Sequence, residues 1–227
     1  MLFYKGNNYI DPIDGKGFRK LLPYGYGEQR KNALSPSTLS LERHRLLWLY
    51  LKNETDFFAN HKKVLHIAPE QCFINRFKNQ KNLDYITADL YSPIVDVKAD
   101  ILDLPFEDNS FDVVICNHVL EHIEDDKKAM QELYRVLKPK GFGIFQIPQD
   151  LSLEKTYEDF SITSPEERTK HFGQYDHVRV YGKDYFNRLR SVGFEVKEMD
   201  YSKNLEDKLV EKYCLIKGEI IPVCYKK

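Results

Sequence analysis

Phe111-Asp112-Val113-Val114-Ile115-Cys116 is an almost unbroken apolar run with turn-forming residues on both sides. Runs of this length and β-branched character suit a strand covered on both faces, as parallel sheets require. The run belongs to a regular alternation. Val64–Ala68, Leu83–Ala88, Val95–Ala99, Phe142–Ile147, Phe194–Met199 and Glu219–Tyr225 read as further strands. Helices are expected from Pro69 to about Lys78, from Asp125 to Leu137 and from about Lys183 to Ser191. Pro69 can open the first of these, and Pro139-Lys140-Gly141 and Gly193 close the other two. Strands that alternate with helices on short connections imply a parallel sheet with right-handed crossovers. The expected fold class is therefore α/β, a doubly wound sheet of seven strands.

The first 40 residues are rich in Gly, Pro, Asn and Tyr and show little periodicity. They read as turns and short strands, followed by an amphipathic helix from Leu41 that Ser40 can cap. Residues 1–50 are expected to form a small irregular appendage and residues 51–227 the sheet domain. With 42% hydrophobic and 30% charged residues the chain is globular, not disordered. A formal net charge of −1 supplies no general attraction to nucleic acid or to an anionic membrane. No apolar stretch approaches ~18 residues, so no membrane span is expected, and the cytoplasm is the expected compartment. Cys72, Cys116, Cys214 and Cys224 form no CxxC pair, and no disulfide framework is expected.

Open α/β sheets bind ligands beyond the carboxyl ends of their strands, where strand order switches. The residues to question are thus Ala68, Pro69 and Glu70 after the first strand, Asp89 after the second, Asp100 and Ile101 after the third, and Asn117 and His118 after the fourth. Asp89 lies about 20 residues beyond the first turn, the spacing at which an acid meets a ribose hydroxyl. The first turn has no glycine, although a dinucleotide needs glycines for its pyrophosphate. That disfavours a nicotinamide oxidoreductase and admits a nucleoside without phosphates.

Three blocks then become specific. Asp100-Ile101-Leu102-Asp103-Leu104-Pro105-Phe106 runs on to Phe111-Asp112-Val113-Val114. Asn117-His118-Val119-Leu120-Glu121-His122-Ile123 follows that strand. Leu133-Tyr134-Arg135-Val136-Leu137-Lys138-Pro139-Lys140-Gly141-Phe142 comes next. In order and spacing they resemble class I S-adenosylmethionine-dependent methyltransferases, in the branch with a type 11-like domain. The resemblance covers about residues 62–227 and implies a Rossmann-like sheet with S-adenosyl-L-methionine as cofactor. It departs from the family at His66-Ile67-Ala68-Pro69-Glu70, where an acid and several glycines are usual, and at Lys140, where a glycine is usual. Carried over by position, it implies that Asp89 binds the ribose hydroxyls and that Asp100 and Ile101 lie against the adenine. Asn117 and His118, with Ala68 and Pro69, would line the methionine side, and Glu70 would help to hold the ammonium.

His118-Val119-Leu120-Glu121-His122 also fits H-x-x-E-H, the signature of inverted zinc peptidases. A peptidase needs that motif within a long helix and a third ligand downstream. Here it directly follows a buried strand, so no metal is expected. Asp11-Pro12-Ile13-Asp14 and Ser35-Pro36-Ser37-Thr38 share an x-P-x-x frame resembling the Cys-Pro-x-Cys knuckles of a zinc ribbon, with every cysteine replaced. Structural zinc needs thiolates or imidazoles, so none is expected there either.

The expected reaction moves a methyl group to a small polar molecule or glycan, at oxygen or nitrogen; the alternative is a protein that binds the cofactor without turnover. A hydroxyl acceptor calls for a base, for which His177, His122 and His118 are the candidates. Asp176, Arg179 and Tyr181, in the polar insertion after the fifth strand, are expected to contact the acceptor. Arg43 and Arg45 could face an anionic group on it.

Overall fold

The computed structural model describes residues 4–25 and 29–227. In chain order the N-terminal elements are β1 (Lys5–Ile10), β2 (Gly17–Phe18), β3 (Leu22–Tyr24), β4 (Arg30–Leu34) and α1 (Glu42–Asn53). They are followed by β5 (Lys62–Ile67), α2 (Gln71–Lys78), β6 (Leu83–Asp89), β7 (Val97–Lys98), β8 (Phe111–Cys116), α3 (Asp126–Val136) and β9 (Leu137–Ile144). The remainder comprises β10 (Tyr157–Glu158), α4 (Pro165–Phe172), β11 (Arg179–Val180), α5 (Tyr185–Ser191), β12 (Glu195–Met199), α6 (Asp207–Lys212) and β13 (Ile221–Tyr225). Two compact units result. One holds residues 1–61, 70–83 and 199–221; the other holds 62–69, 84–198 and 222–227.

In the first unit, β1 pairs with β2 and β3 with β4, both antiparallel. The two x-P-x-x frames form the turns after β1 and β4, closed by Asp11 N–Lys16 O at 3.0 Å and Ser35 N–Ser40 O at 2.9 Å. Fully buried Asp11 joins the turns: its Oδ2 accepts from the Thr38 hydroxyl and from Ser40 Oγ at 3.1 Å, and its Oδ1 accepts from Ile13 N at 2.9 Å. A buried carboxylate is tolerated when its lone pairs are satisfied in this way. Ser40 is therefore not the helix cap that the sequence suggests. Its hydroxyl is taken by Asp11, and Leu41 is the N-cap of α1, with His44 Nδ1 accepting from Leu41 N at 3.1 Å. Below it Trp48 stacks with Phe73 and Phe77 of α2, at centroid distances of 6.5 and 6.1 Å.

The seven-stranded sheet has the order β12-β13-β9-β8-β5-β6-β7. Strand β8 is the run singled out in the sequence, and it pairs in parallel with β5 on one side and β9 on the other. Residues Val113 to Cys116 are fully buried, the consequence of cover on both faces. The sheet is mixed, not purely parallel, because β13 runs antiparallel to β9. Antiparallel pairing needs no long crossover, so the last strand can enter beside β9 directly. Asp125 caps α3 by accepting from Lys128 N at 3.0 Å. The turn within β9 keeps the bend expected of glycine: Lys140 takes φ 66°. The insertion after β9 contains the antiparallel pair β10–β11 and α4, which Ser164 caps, Pro165 opens and Gly173 ends at φ 84°. Among the described residues no helix is long and apolar enough to cross a membrane, and all four cysteines are free thiols.

Candidate functional site

Strand order reverses between β5 and β8, and the residues that leave these two strands are both strained. Ala68 has φ 46° and His118 φ 55°, left-handed values that side chains disfavour by roughly 1–2 kcal/mol. Such strain persists where the surroundings enforce it, often at functional positions. Ala68 N donates to Ala88 O at 2.8 Å and His118 N to Gln146 O at 2.7 Å, so neighbouring strand ends hold both bends. The first turn therefore makes a glycine-like bend without glycine, using the smallest chiral residue. Asn117 is buried, with Oδ1 accepting from Gln146 N at 3.0 Å.

The acids expected to meet the cofactor stand at the next strand ends. Asp89 closes β6, and its Oδ1 accepts from Tyr91 N and Ser92 N, each at 2.7 Å. These two bonds fix the carboxylate. Asp100 orders the following turn through Leu102 N at 2.9 Å, and Ile101 is buried. Pro69 directly follows the Ala68 bend. Glu70 is the N-cap residue of α2 and belongs to the first unit, where its Oε1 lies 3.8 Å from His44 Nε2.

Beyond β8 the chain makes one 3-10 turn, Leu120–His122, which presents a cluster the sequence only half reveals. Glu121 is 1% exposed, and its Oε1 lies 3.3 Å from His118 Nδ1. Its Oε2 is buried and has no hydrogen-bond partner. His122 Nδ1 lies 3.4 Å from Asp176 Oδ2 and 3.3 Å from the Asp176 carbonyl oxygen. The ring of His177 meets that of His122 edge to face at 4.8 Å. All three candidate histidines thus lie within one group. Burial pushes the His177 pKa down, against the pull of the Glu121 charge, so its neutral form is favoured. In the sequence Glu121 enters only through the H-x-x-E-H match; its i, i+3 spacing from His118 is the signal that ties it to that histidine.

Arg179 and Tyr181 have a different use from the one expected. Arg179 is 1% exposed and donates to Glu158 Oε2 at 2.9 Å and to the carbonyls of Leu120 at 3.0 Å, Ile123, and Glu124 at 2.8 Å. Tyr181 is fully buried and donates to Asp126 Oδ2 at 2.8 Å. Both fasten the insertion to the segment after β8, which orients Glu121 and His122. Asp176, half-buried, is the member of that trio whose carboxylate remains at the histidine cluster.

The two N-terminal arginines belong to the first unit. Arg45 is fully buried and donates to four carbonyls: Ala33 at 3.0 Å, Ser40 at 2.8 Å, Tyr213 at 2.7 Å and Cys214 at 2.8 Å. Its guanidinium is consumed in tying these segments together. Arg43 is half-buried, and its charge acts on Glu219, a carboxyl that burial raises to about 7.

Residues 52–145 match the methyltransferase domain family. An uncharacterized protein of Methanocaldococcus jannaschii is 47% identical over 66 residues, 28% of this chain and 29% of that protein. The ubiquinone/menaquinone biosynthesis C-methyltransferase UbiE of Idiomarina loihiensis is 38% identical over 68 residues, 29% of this chain and 27% of that protein. The matched segments span less than a third of either relative. Among solved structures, the [4+2]-cyclase SpnF shares the fold with a TM-score of 0.55 at 14% identity, over 95% of this chain and 91% of that one. Residues 52–145, from before β5 to the end of β9, thus match a methyltransferase domain, and the sheet built around the β5–β8 switch point has the Rossmann-like methyltransferase fold.

Proposed function

We propose that the protein transfers a methyl group from S-adenosyl-L-methionine to an oxygen or nitrogen of a small polar molecule or glycan, with His118 as the base. The observation that carries this reading is the pairing of His118 Nδ1 with the buried Glu121 carboxylate, 3.3 Å away, at the strand end beside the switch point. When bound, the cofactor supplies an electrophilic methyl group on a sulfonium. The chain has to hold it, align the acceptor and take up a proton.

The residues present suit that cofactor. The first turn bends at Ala68 without a glycine loop, which a ligand lacking a pyrophosphate does not need. Asp89 would accept from the ribose hydroxyls, and Asp100 and Ile101 would flank the adenine. Glu121 engages Nδ1 of the His118 ring, which leaves Nε2 as the acceptor of a proton, much as a carboxylate orients a catalytic histidine elsewhere. A fold shared with a cyclase does not by itself dictate methyl transfer, so the reading rests on the site.

Incubation with methyl-labelled cofactor and a panel of sugars, amines and small hydroxy compounds tests it. Label in an O-methyl or N-methyl product supports the reading. Label on carbon overturns the acceptor assignment. Tight cofactor binding with no consumption across the panel favours a binding protein without turnover.

A further inference from the structure

We propose that Glu121, His122 and His177 form a binding site for one divalent transition-metal ion of the zinc type. One potential ligand atom from each residue lies within 4.8 Å of the others. Ligands around a tetrahedral zinc stand about 3.3 Å apart, so closure needs side-chain movements of about an ångström. Two imidazoles and a carboxylate match the preference of borderline-soft cations and leave a coordination position open.

The surroundings of the three groups fit this use. Glu121 is 1% exposed, its Oε1 engages His118, and its Oε2 is buried without a partner. A buried carboxylate oxygen left unsatisfied is costly unless a cation completes it. Histidine ligands usually present one ring nitrogen to the metal and donate from the other to a carboxylate or carbonyl. His122 Nδ1 has both kinds of partner on Asp176, at 3.4 Å and 3.3 Å, which leaves Nε2 for the ion. The Phe172 backbone also acts on the His177 ring.

The H-x-x-E-H match gives little reason to expect a metal, since it directly follows a buried strand and does not lie within a long helix. The fold supplies a third ligand in His177, brought in by the insertion after β9. The site also differs from the motif's usual use, because His118 faces Glu121 and is not a ligand. The open position suits an acceptor oxygen; that use rests on the proposed function, whereas the ion site rests on the ligand set alone.

Chelator-treated protein titrated with Co2+, followed by its d–d absorption and by competition with Zn2+, tests the site. We expect one equivalent bound with micromolar or tighter affinity. His122→Ala, His177→Ala and Glu121→Gln should each weaken binding at least tenfold, and His61→Ala, in an exposed loop, should not. Glu121→Gln alters a single group and keeps the test decisive where a histidine variant misfolds. Absence of Co2+ binding, or equal affinity in all three variants, would overturn the proposal. Protein that binds Co2+ but no S-adenosylhomocysteine would leave the ion site standing and defeat the proposed function; the reverse pattern would defeat the ion site alone.

Discussion

Replacing Arg179 with methionine separates a structural tie from a substrate contact. The guanidinium is 1% exposed, and its partners are Glu158 and the carbonyls of Leu120, Ile123 and Glu124. Removing one member of a buried ion pair costs about 3–5 kcal/mol. The lower half of that range applies here. Glu158 keeps Arg188 as a partner at 2.7 Å, and methionine refills much of the aliphatic volume. The expected loss is therefore about 3–4 kcal/mol, or a fall in Tm of roughly 6–16 °C for a chain of this size. Urea unfolding of Arg179→Met beside the wild-type protein measures it. Because residues 120–124 lose their anchor, turnover should also fall for any acceptor. If Arg179 instead contacts substrate, stability stays within about 0.5 kcal/mol and only the acceptor KM rises. A stability loss below about 1 kcal/mol would refute the tie.

Other outcomes follow from the same structure. Burial raises the Glu219 carboxyl to about 7, so the folded state holds a proton that the unfolded state releases near its ordinary value of 4.5. Its stabilising contribution is complete below pH 4.5 and is lost as pH rises through 7. Glu219→Gln should then be more stable than wild type above pH 7, by roughly 2 kcal/mol, with the gap closing near pH 4.5 in melts across that range. Thr38→Val leaves the buried Asp11 carboxylate short of a donor and should cost about 1–3 kcal/mol in urea unfolding. His118→Asn retains a residue that tolerates the left-handed backbone but lacks the base. Steady-state kinetics should show a 10²–10⁴-fold fall in kcat, while calorimetry shows unchanged cofactor affinity.

Much of the sheet is legible in the sequence because its signals are local. Strand β8 is a bounded apolar run, and α3 announces itself by Asp125 at its cap and by Met130 and Leu133 on its buried side. The direction of β13 is not legible, since apolar pattern carries no polarity. The cap of α1 misleads for a related reason: Ser40 is a good capping residue, but a buried acid 29 positions earlier competes for its hydroxyl. In the site, the strand-end residues are identifiable from topology alone. Arg45 and Arg179 are not, because a cation on a polar stretch gives no sign that backbone carbonyls from distant segments will surround it. Glu121 and His177 illustrate the same limit, 56 positions apart in the chain and neighbours in the fold.

Calorimetric titration with S-adenosylhomocysteine, the product form of the cofactor, tests the central claim most directly. The account predicts one site per chain in the wild-type protein. It also predicts binding weakened by about 1.5–3 kcal/mol in Asp89→Asn, which keeps the Oδ1 turn to Tyr91 N and Ser92 N but loses the charged acceptor. Absence of binding by the wild-type protein, or equal affinity in the variant, would contradict it.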